Sequence, residues 1–178
     1  MRIAVNLFSA QLQEGNLVNT VLRALGDTGI APELLELEIT ENIILRNDET
    51  IRGTLSELRD FGVHIAFDDY GTGYASLSML KQYPVTRLKI DKGFVQNMES
   101  DKGDIAIIDA VVQLGRSFGL DVIAEGVESD IQERILRSLG CKQAQGFLYG
   151  RAMPASELEA LIASSAEERV EMQARKSA

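Results

Sequence analysis

The chain has 178 residues, of which 45% are hydrophobic, and a formal net charge of -9. This length and composition fit one domain with a sizeable core. The acidic balance argues against binding long nucleic acids, since that binding needs clustered Lys and Arg to neutralise phosphates. A small anionic ligand held through a metal ion is compatible with it.

The cysteine content and the length of the apolar segments indicate the cellular compartment in which the chain is expected. The one cysteine, Cys141, cannot form an internal disulfide, which fits a reduced compartment. No apolar run approaches the roughly 20 residues that span a bilayer, and the N-terminus lacks the features of a signal peptide. We therefore expect a soluble, cytoplasmic chain without direct membrane insertion.

Short segments rich in β-branched residues recur along the chain, and we interpret them as strands. They are Ile3–Leu7, Leu35–Ile39, His64–Asp68, Arg87–Asp91, Asp121–Glu125 and Ala144–Tyr149. Several are apolar almost throughout, which is typical of parallel strands buried on both faces.

Helical patterns separate these segments. Three predicted helices end before a glycine, which suits a left-handed C-cap: Leu17–Leu25 before Gly26, Glu49–Phe61 before Gly62, and Ile105–Phe118 before Gly119. Two more begin with the spacing of a capping box, one at Ser129 with Gln132, ending at Gly140, and one at Ser156 with Glu159.

Alternating strands and helices predict right-handed βαβ crossovers and a parallel sheet, either an open doubly wound sheet or a barrel. Six units do not close an eight-stranded barrel. The sequence after Ala163 is polar and charged. We therefore expect a domain over residues 1–163 and a frayed or disordered tail over residues 164–178.

Polar side chains gather where the predicted strands end or, for the last one, inside it. They are Asn6, Glu38, Asp68, Asp69, Lys89, Asp91, Glu125 and Gln145. In a parallel α/β barrel the carboxyl ends of the strands meet on one face, where active sites lie. A carboxylate in an apolar strand is costly to desolvate unless a cation or donor compensates it. The cluster therefore indicates Mg²⁺ or Mn²⁺ bound by oxygens.

Asp68 and Asp69 are adjacent, so both can face a metal only where the chain turns. Gly71 and Gly73 follow directly and permit such a turn. Without the neighbouring acids, an ordinary βα turn is the better interpretation of these glycines. His64 is the single histidine, which excludes a zinc site of several imidazoles, and we interpret it as a partly buried structural residue.

Lys89 alternates with Leu88 and Ile90, so its side chain is predicted to point into the polar cluster. There it can orient an attacking water or neutralise charge on a phosphoryl oxygen. An ion pair with Asp91 or a solvent-facing side chain is an equal alternative. Glu128, three residues after Glu125, can equally be a first-turn acid favoured by the helix dipole.

Several motifs in this order resemble the EAL domain of cyclic di-GMP phosphodiesterases. They are Val5-Asn-Leu7, the EITE run Glu38–Glu41, the DDYGTG run Asp68–Gly73, LKID at Leu88–Asp91, AEGVE at Ala124–Glu128, and QGFLYGRAMP at Gln145–Pro154. The resemblance implies an α/β fold, an incomplete TIM-like (β/α) barrel of about six parallel strands alternating with helices. It also implies a bacterial second-messenger enzyme that hydrolyses cyclic di-GMP to linear pGpG.

Carried over by position, the resemblance implies one or two Mg²⁺ or Mn²⁺ ions. Their ligands would be Asn6, Glu38, Asp68 and Asp69, with Lys89 holding or polarising the water and Glu125 ligating metal or acting as a base. Asp91, Glu128 and Gln145 would support the site. Glu41 would anchor the loop of Gly71 and Gly73, which in the family couples metal binding to a dimer contact.

The chain also departs from the family pattern. The segment with the Glu-Ala-Leu strand, whose glutamate is a further metal ligand, is not in this sequence. Phe8 stands between Leu7 and Ser9, where the family usually has serine directly after leucine, and Tyr70 replaces a usual phenylalanine. We therefore expect impaired turnover; the alternative is a catalytically inactive cyclic di-GMP-binding or dimerisation module. The expected partners are a second copy, as a homodimer or strand-exchanged oligomer, and an N-terminal sensory or GGDEF-type domain.

Overall fold

The structure, a computed structural model, describes residues 2–44, 48–71 and 77–164. In these ranges, six parallel strands pair in chain order and curl into a half-barrel. The strands are β1 (Ile3–Asn6), β2 (Leu35–Ile39), β3 (His64–Tyr70), β4 (Arg87–Ile90), β5 (Asp121–Ala124) and β6 (Gln143–Ala144). The predicted incomplete (β/α) barrel is confirmed.

Helices connect the strands. They are α1 (Ser9–Gln13), α2 (Leu17–Thr28), α3 (Glu41–Ile44), α4 (Glu49–Asp60), α5 (Leu77–Gln82), α6 (Lys92–Asn97), α7 (Lys102–Phe118) and α8 (Asp130–Leu139), with a 3-10 turn at Pro32–Leu34. A last helix, α9, covers residues 155–164. The chain forms two compact units, Met1–Leu148 with the sheet and Tyr149–Ala178 with α9.

The sheet separates apolar from polar side chains by alternation. In β2, Leu37 and Ile39 join the hydrophobic core, whereas Glu36 and Glu38 point to the other face and are also buried. Residues paired in register lie on the same face of the sheet, as Asn6 does with Glu38. The inner face of the half-barrel therefore carries charged side chains, and the outer face packs against the helices.

Most predicted helix ends are confirmed. Gly119 and Gly140 adopt the left-handed conformation after α7 and α8, and Ser129 with Gln132 forms the predicted capping box of α8. Gly62 follows α4 with a φ of 99°. However, α7 begins at Lys102, earlier than predicted, because Asp101 accepts a hydrogen bond from the Gly103 amide at 2.7 Å and caps the helix.

Two further helix boundaries were predicted wrongly. Helix α2 runs through Gly26 and ends at Thr28, because the Gly29 amide donates to the Leu25 carbonyl at 2.9 Å with a φ of 68°. Helix α9 begins at residue 155, so Ser156 lies inside it, and the Pro154 carbonyl accepts from the amides of Glu157 and Leu158.

The predicted sixth strand, Ala144–Tyr149, is wrong beyond Ala144. After β6 the chain turns around Val127: the Val127 amide donates to the Gln145 carbonyl at 3.1 Å, and the Leu148 amide donates to the Val127 carbonyl at 3.0 Å. A Cβ at Gly146 would lie only 2.2 Å from the Val127 carbonyl oxygen. Gln145 therefore lies just after the strand, where its backbone joins this turn.

The structure describes only the first residue of the predicted C-terminal tail. Of the predicted tail 164–178, Ser164 is the end of α9, and residues 165–178 lie outside the described residues. None of the helices in the described ranges has the length and apolar character needed to cross a membrane.

Candidate active site at the carboxyl ends of the strands

Lys89 of β4 lies at the centre of a cluster of carboxylates. Its Nζ is 2.6 Å from Glu38 Oε1, 2.9 Å from Asp68 Oδ1 and 2.8 Å from Glu125 Oε1. Lys89 is only 4% exposed, so it does not face solvent. The direction that alternation predicted for this side chain is confirmed. We call Lys89, Glu38, Asp68 and Glu125 the upper cluster.

Charges in the upper cluster shift the pKa values of its members. Burial acts to lower the pKa of Lys89, but hydrogen bonds to Glu125, Glu38 and Asp68 outweigh it and raise that pKa above its ordinary value. The pKa of Glu125 is also raised, by burial and by repulsion from Asp68 and Glu38, against the attraction of Lys89. Three acids thus compete for one ammonium group.

The backbone around Asp68 and Asp69 turns as the sequence requires. Asp69 has a φ of 54°, and the pairing of β3 with β4 shifts register between Phe67 and Tyr70. Because of this bulge, Asp68 points to Lys89 while Asp69 lies near Asp91. Burial, then the charges of Asp68 and Asp91, raise the pKa of Asp69.

The other predicted residues surround the upper cluster with different contacts. Asn6 is exposed and lies beside Glu38 in the sheet. Asp91 caps α6 by accepting a hydrogen bond from the Gly93 amide at 2.8 Å. Glu128 accepts a hydrogen bond from Gln96 at 3.2 Å, and it precedes the N-cap of α8, so it is not a first-turn acid. Gln145 is exposed just beyond β6.

The predicted loop anchor is described in part. Glu41 has a buried Oε1 for which the described residues provide no hydrogen-bond partner. Burial and the nearby charge of Glu41 raise the pKa of Tyr70. Gly71 has a φ of 104°, and a Cβ there would lie 3.0 Å from the Phe94 ring of α6. Gly73 lies outside the described residues, so the anchoring role stays a prediction.

A second charged cluster, which the sequence interpretation missed, lies one step lower on the same strands. Arg87 Nη1 is 2.7 Å from Glu36 Oε1, and its Nη2 is 3.4 Å from Asp121 Oδ2. Arg2 Nη1 is 3.1 Å from Glu36 Oε2. The signal was available: Arg87 and Glu36 each precede an upper-cluster residue by two positions. We call Arg2, Glu36, Arg87 and Asp121 the lower cluster.

His64 is half-buried beside the lower cluster, with its Nδ1 3.3 Å from Thr86 Oγ1. Burial, followed by the charge of Arg2, lowers its pKa. The structural role predicted for His64 is consistent with these contacts.

The upper cluster fits a divalent cation in charge and donor type. Three carboxylates around one ammonium leave negative charge uncompensated, and all the acidic donors are oxygens, which Mg²⁺ and Mn²⁺ prefer. Across residues 2–44, 48–71 and 77–164, no group of three or more Asp, Glu, His or Cys side chains has the geometry to hold a metal ion. In the upper cluster, the Lys89 ammonium forms ion pairs with the same carboxylate oxygens that would ligate the cation.

The fold and the upper cluster together define a (β/α)-barrel protein with its polar site at the carboxyl ends of the strands. The family model of the EAL domain matches residues 1–152. The chain therefore belongs to the EAL domain family.

Its relatives include cyclic di-GMP enzymes. The bifunctional diguanylate cyclase/cyclic di-GMP phosphodiesterase MucR of Pseudomonas aeruginosa is 45% identical over 161 residues, which are 90% of this chain and 24% of MucR. The chain thus spans about a quarter of that relative.

Solved structures agree with this assignment. The PaMucR phosphodiesterase in complex with c-di-GMP superposes with a TM-score of 0.83 at 44% identity, over 88% of this chain and 64% of that one. The manganese/cy-diGMP complex of Klebsiella pneumoniae BlrP1 gives a TM-score of 0.78 at 31% identity, over 84% of this chain and 38% of that one.

Proposed function

We propose that this chain is the larger part of a metal-dependent phosphodiesterase domain that hydrolyses cyclic di-GMP to linear pGpG. The observation that carries the proposal is the upper cluster, where three carboxylates share the Lys89 ammonium at the carboxyl ends of β2, β3 and β5. Relatives whose structures contain cyclic di-GMP, in one case with manganese, support the choice of substrate.

One or two Mg²⁺ or Mn²⁺ ions are the proposed cofactor, with Asn6, Glu38, Asp68 and Asp69 as ligands and Glu125 as a further ligand or base. A divalent cation at this place supplies Lewis-acid chemistry and stabilises charge on phosphoryl oxygens. Its binding requires Lys89 to give up some of its contacts with the carboxylates.

The side chains of the chain have separate roles in the proposed reaction. Water attacks one phosphorus in line, the bond from phosphorus to the ribose 3′ oxygen breaks, and that oxygen takes up a proton from solvent and leaves as a hydroxyl group. Glu125, which directly follows β5 and lies 2.8 Å from the Lys89 ammonium, accepts the proton of the water. The buried ammonium group of Lys89 donates a hydrogen bond to a phosphoryl oxygen.

Asp91 and Glu128 support this arrangement from α6 and the β5–α8 connection. Asp91 fixes the start of α6 directly after β4, and Glu128 contacts Gln96 of the same helix. Gln145 joins the sixth strand to the Val127 turn through its backbone. These residues hold the ends of β4, β5 and β6 in place around Lys89.

The test is the formation of pGpG from cyclic di-GMP in the presence of Mn²⁺ by this chain and by its Asp68→Asn variant. Turnover that falls at least a hundredfold in the variant would support the proposal. Glu36→Gln in the lower cluster is the matched control and should retain turnover. Binding of cyclic di-GMP without turnover would support the binding form of the second candidate below, and neither binding nor turnover would overturn both the phosphodiesterase and that binding form.

The second candidate is a catalytically inactive binding or dimerisation module. It is favoured by β1, whose apolar Ile3 and Val5 are 47% and 45% exposed at the edge of the described sheet. An exposed edge strand invites pairing with a second copy. Light scattering that finds only monomers would count against a homodimer or strand-exchanged oligomer. For either candidate, we also propose a cytoplasmic location. The proposed partner within the same protein is an N-terminal sensory or GGDEF-type domain.

A further inference from the structure

Phe8 is a large aromatic side chain in an exposed position, two residues after Asn6 at the end of β1. It is 69% exposed, whereas the neighbouring Leu7 is 5% exposed and Leu12 of α1 is 2% exposed. Covering such a ring with a ligand or partner buries a large apolar surface and is therefore favourable.

The backbone around Phe8 is fixed on both sides. The Leu7 amide donates to the Glu38 carbonyl at 2.8 Å, which extends the pairing of β1 with β2 beyond Asn6. The Phe8 amide donates to Gln11 Oε1 at 2.9 Å, and its carbonyl accepts from the Gln11 amide at 3.0 Å. The ring is therefore exposed although its backbone is ordered.

Alternation places the ring on the side of the upper cluster. Asn6 and Glu38 are paired in register and share a face of the sheet, and Leu7 points to the core on the opposite face. Phe8 has an extended backbone, with φ -100° and ψ 148°, and so returns to the side of Asn6. Two residues of strand place it about 7 Å beyond Asn6, at the mouth of the site.

We propose that the Phe8 ring stacks on a purine base of the ligand while the upper cluster binds the phosphodiester. This inference rests on the proposed function and adds a base-binding residue to it. Stacking on an aromatic ring suits any base and needs no hydrogen-bonding group, which matches a phenylalanine surrounded by solvent. The polar cluster and the ring thus recognise different parts of one dinucleotide.

The first test uses fluorescence, because the chain contains no tryptophan. In a Phe8→Trp variant, cyclic di-GMP is expected to quench the emission of the new indole, since guanine in stacking contact quenches tryptophan. Ribose 5-phosphate, which has a phosphate and no base, is expected to leave the emission unchanged. Cyclic di-GMP that binds without changing the emission would overturn the proposal.

The second test compares affinities for cyclic di-GMP by calorimetry. Phe8→Ala is expected to weaken binding about tenfold, equivalent to about 1.4 kcal/mol, and Phe8→Tyr to restore it. Phe61→Ala is the control, because Phe61 is 47% exposed at the opposite end of the sheet, and it should not change the affinity.

The outcomes separate the two proposals. If the unaltered chain binds cyclic di-GMP and Phe8→Ala binds equally well, only the stacking role is overturned. If the unaltered chain does not bind cyclic di-GMP, the proposed function and the stacking role both fail. Circular dichroism of Phe8→Ala checks that the loss of an exposed ring leaves the fold intact.

Discussion

The upper and lower clusters lie on the same strands but differ in the balance of their charges. The lower cluster pairs two arginines, Arg2 and Arg87, with two acids, Glu36 and Asp121. The upper cluster has three acids around Lys89 alone. The acids and the cations of the lower cluster balance one another, whereas the upper cluster has an excess of acids whose negative charge an added cation can neutralise.

The two clusters also differ in the type of cationic side chain at their centre. The guanidinium of Arg87 spans Glu36 and Asp121 at once, as suits a fixed structural contact. Lys89 presents a compact ammonium group on a flexible stem, which can move from one oxygen to another. We therefore predict that the lower cluster stabilises the half-barrel and that the upper cluster binds an added cation.

The largest expected effect comes from Lys89→Met. Without divalent ions, the free energy of unfolding should fall by about 3 kcal/mol or more, because the buried Glu38 and the half-buried Asp68 and Glu125 lose their partner. Added Mn²⁺ should recover part of this loss by binding the same oxygens. Urea unfolding with and without Mn²⁺ measures both, and Lys142→Met, at an exposed position, is the control. Unchanged stability without the ion would show that the carboxylates do not depend on Lys89.

Arg87→Met should have a smaller effect of about 2 kcal/mol, because Glu36 keeps Arg2 as a partner and Asp121 is half exposed. Mn²⁺ should not recover this loss, and the affinity for cyclic di-GMP should not change. The same unfolding and binding experiments apply. Recovery by Mn²⁺ would remove the distinction between the two clusters.

The smallest expected effect concerns His64, whose pKa is lowered from 6.5 by burial, then by Arg2 and Arg87, against Glu36 and Asp121. A lowered pKa means that His64 contributes stability above pH 6.5, which is lost as the pH falls through its folded-state pKa. His64→Gln should therefore flatten this part of the pH dependence by less than about 1 kcal/mol. A proton NMR titration of the single histidine should give a pKa below 6.5; a higher value would contradict this.

Much of the fold was predictable from local sequence. The first five strands and the ends of α7 and α8 follow from runs of β-branched residues and from glycine caps, which are local signals. The sixth strand was predicted wrongly because Gly146 packs against the backbone of Val127, a contact between distant parts of the chain. Gly26 resembles a helix end by residue type but lies inside α2, and Gly29 has the left-handed conformation instead.

The site was predictable in outline. The alternation of side chains along β4 predicts the direction of the Lys89 side chain. Because the carboxyl ends of parallel strands meet on one face, Glu38, Asp68 and Glu125 were expected near it, as the structure shows. Contacts that depend on packing, such as Glu128 with Gln96, could not be predicted from spacing. The lower cluster was not predicted because its residues lie near the beginnings of the strands, whereas the active sites of parallel α/β barrels lie at the carboxyl ends.

The most direct test of the unbalanced charge in the upper cluster is a calorimetric titration of the chain with Mn²⁺. We predict that Mn²⁺ binds, that Asp68→Asn weakens binding at least tenfold, and that Glu36→Gln has no effect, because a ligand carboxylate is lost only in the first variant. No binding to the unaltered chain, or equal loss in both variants, would contradict the account.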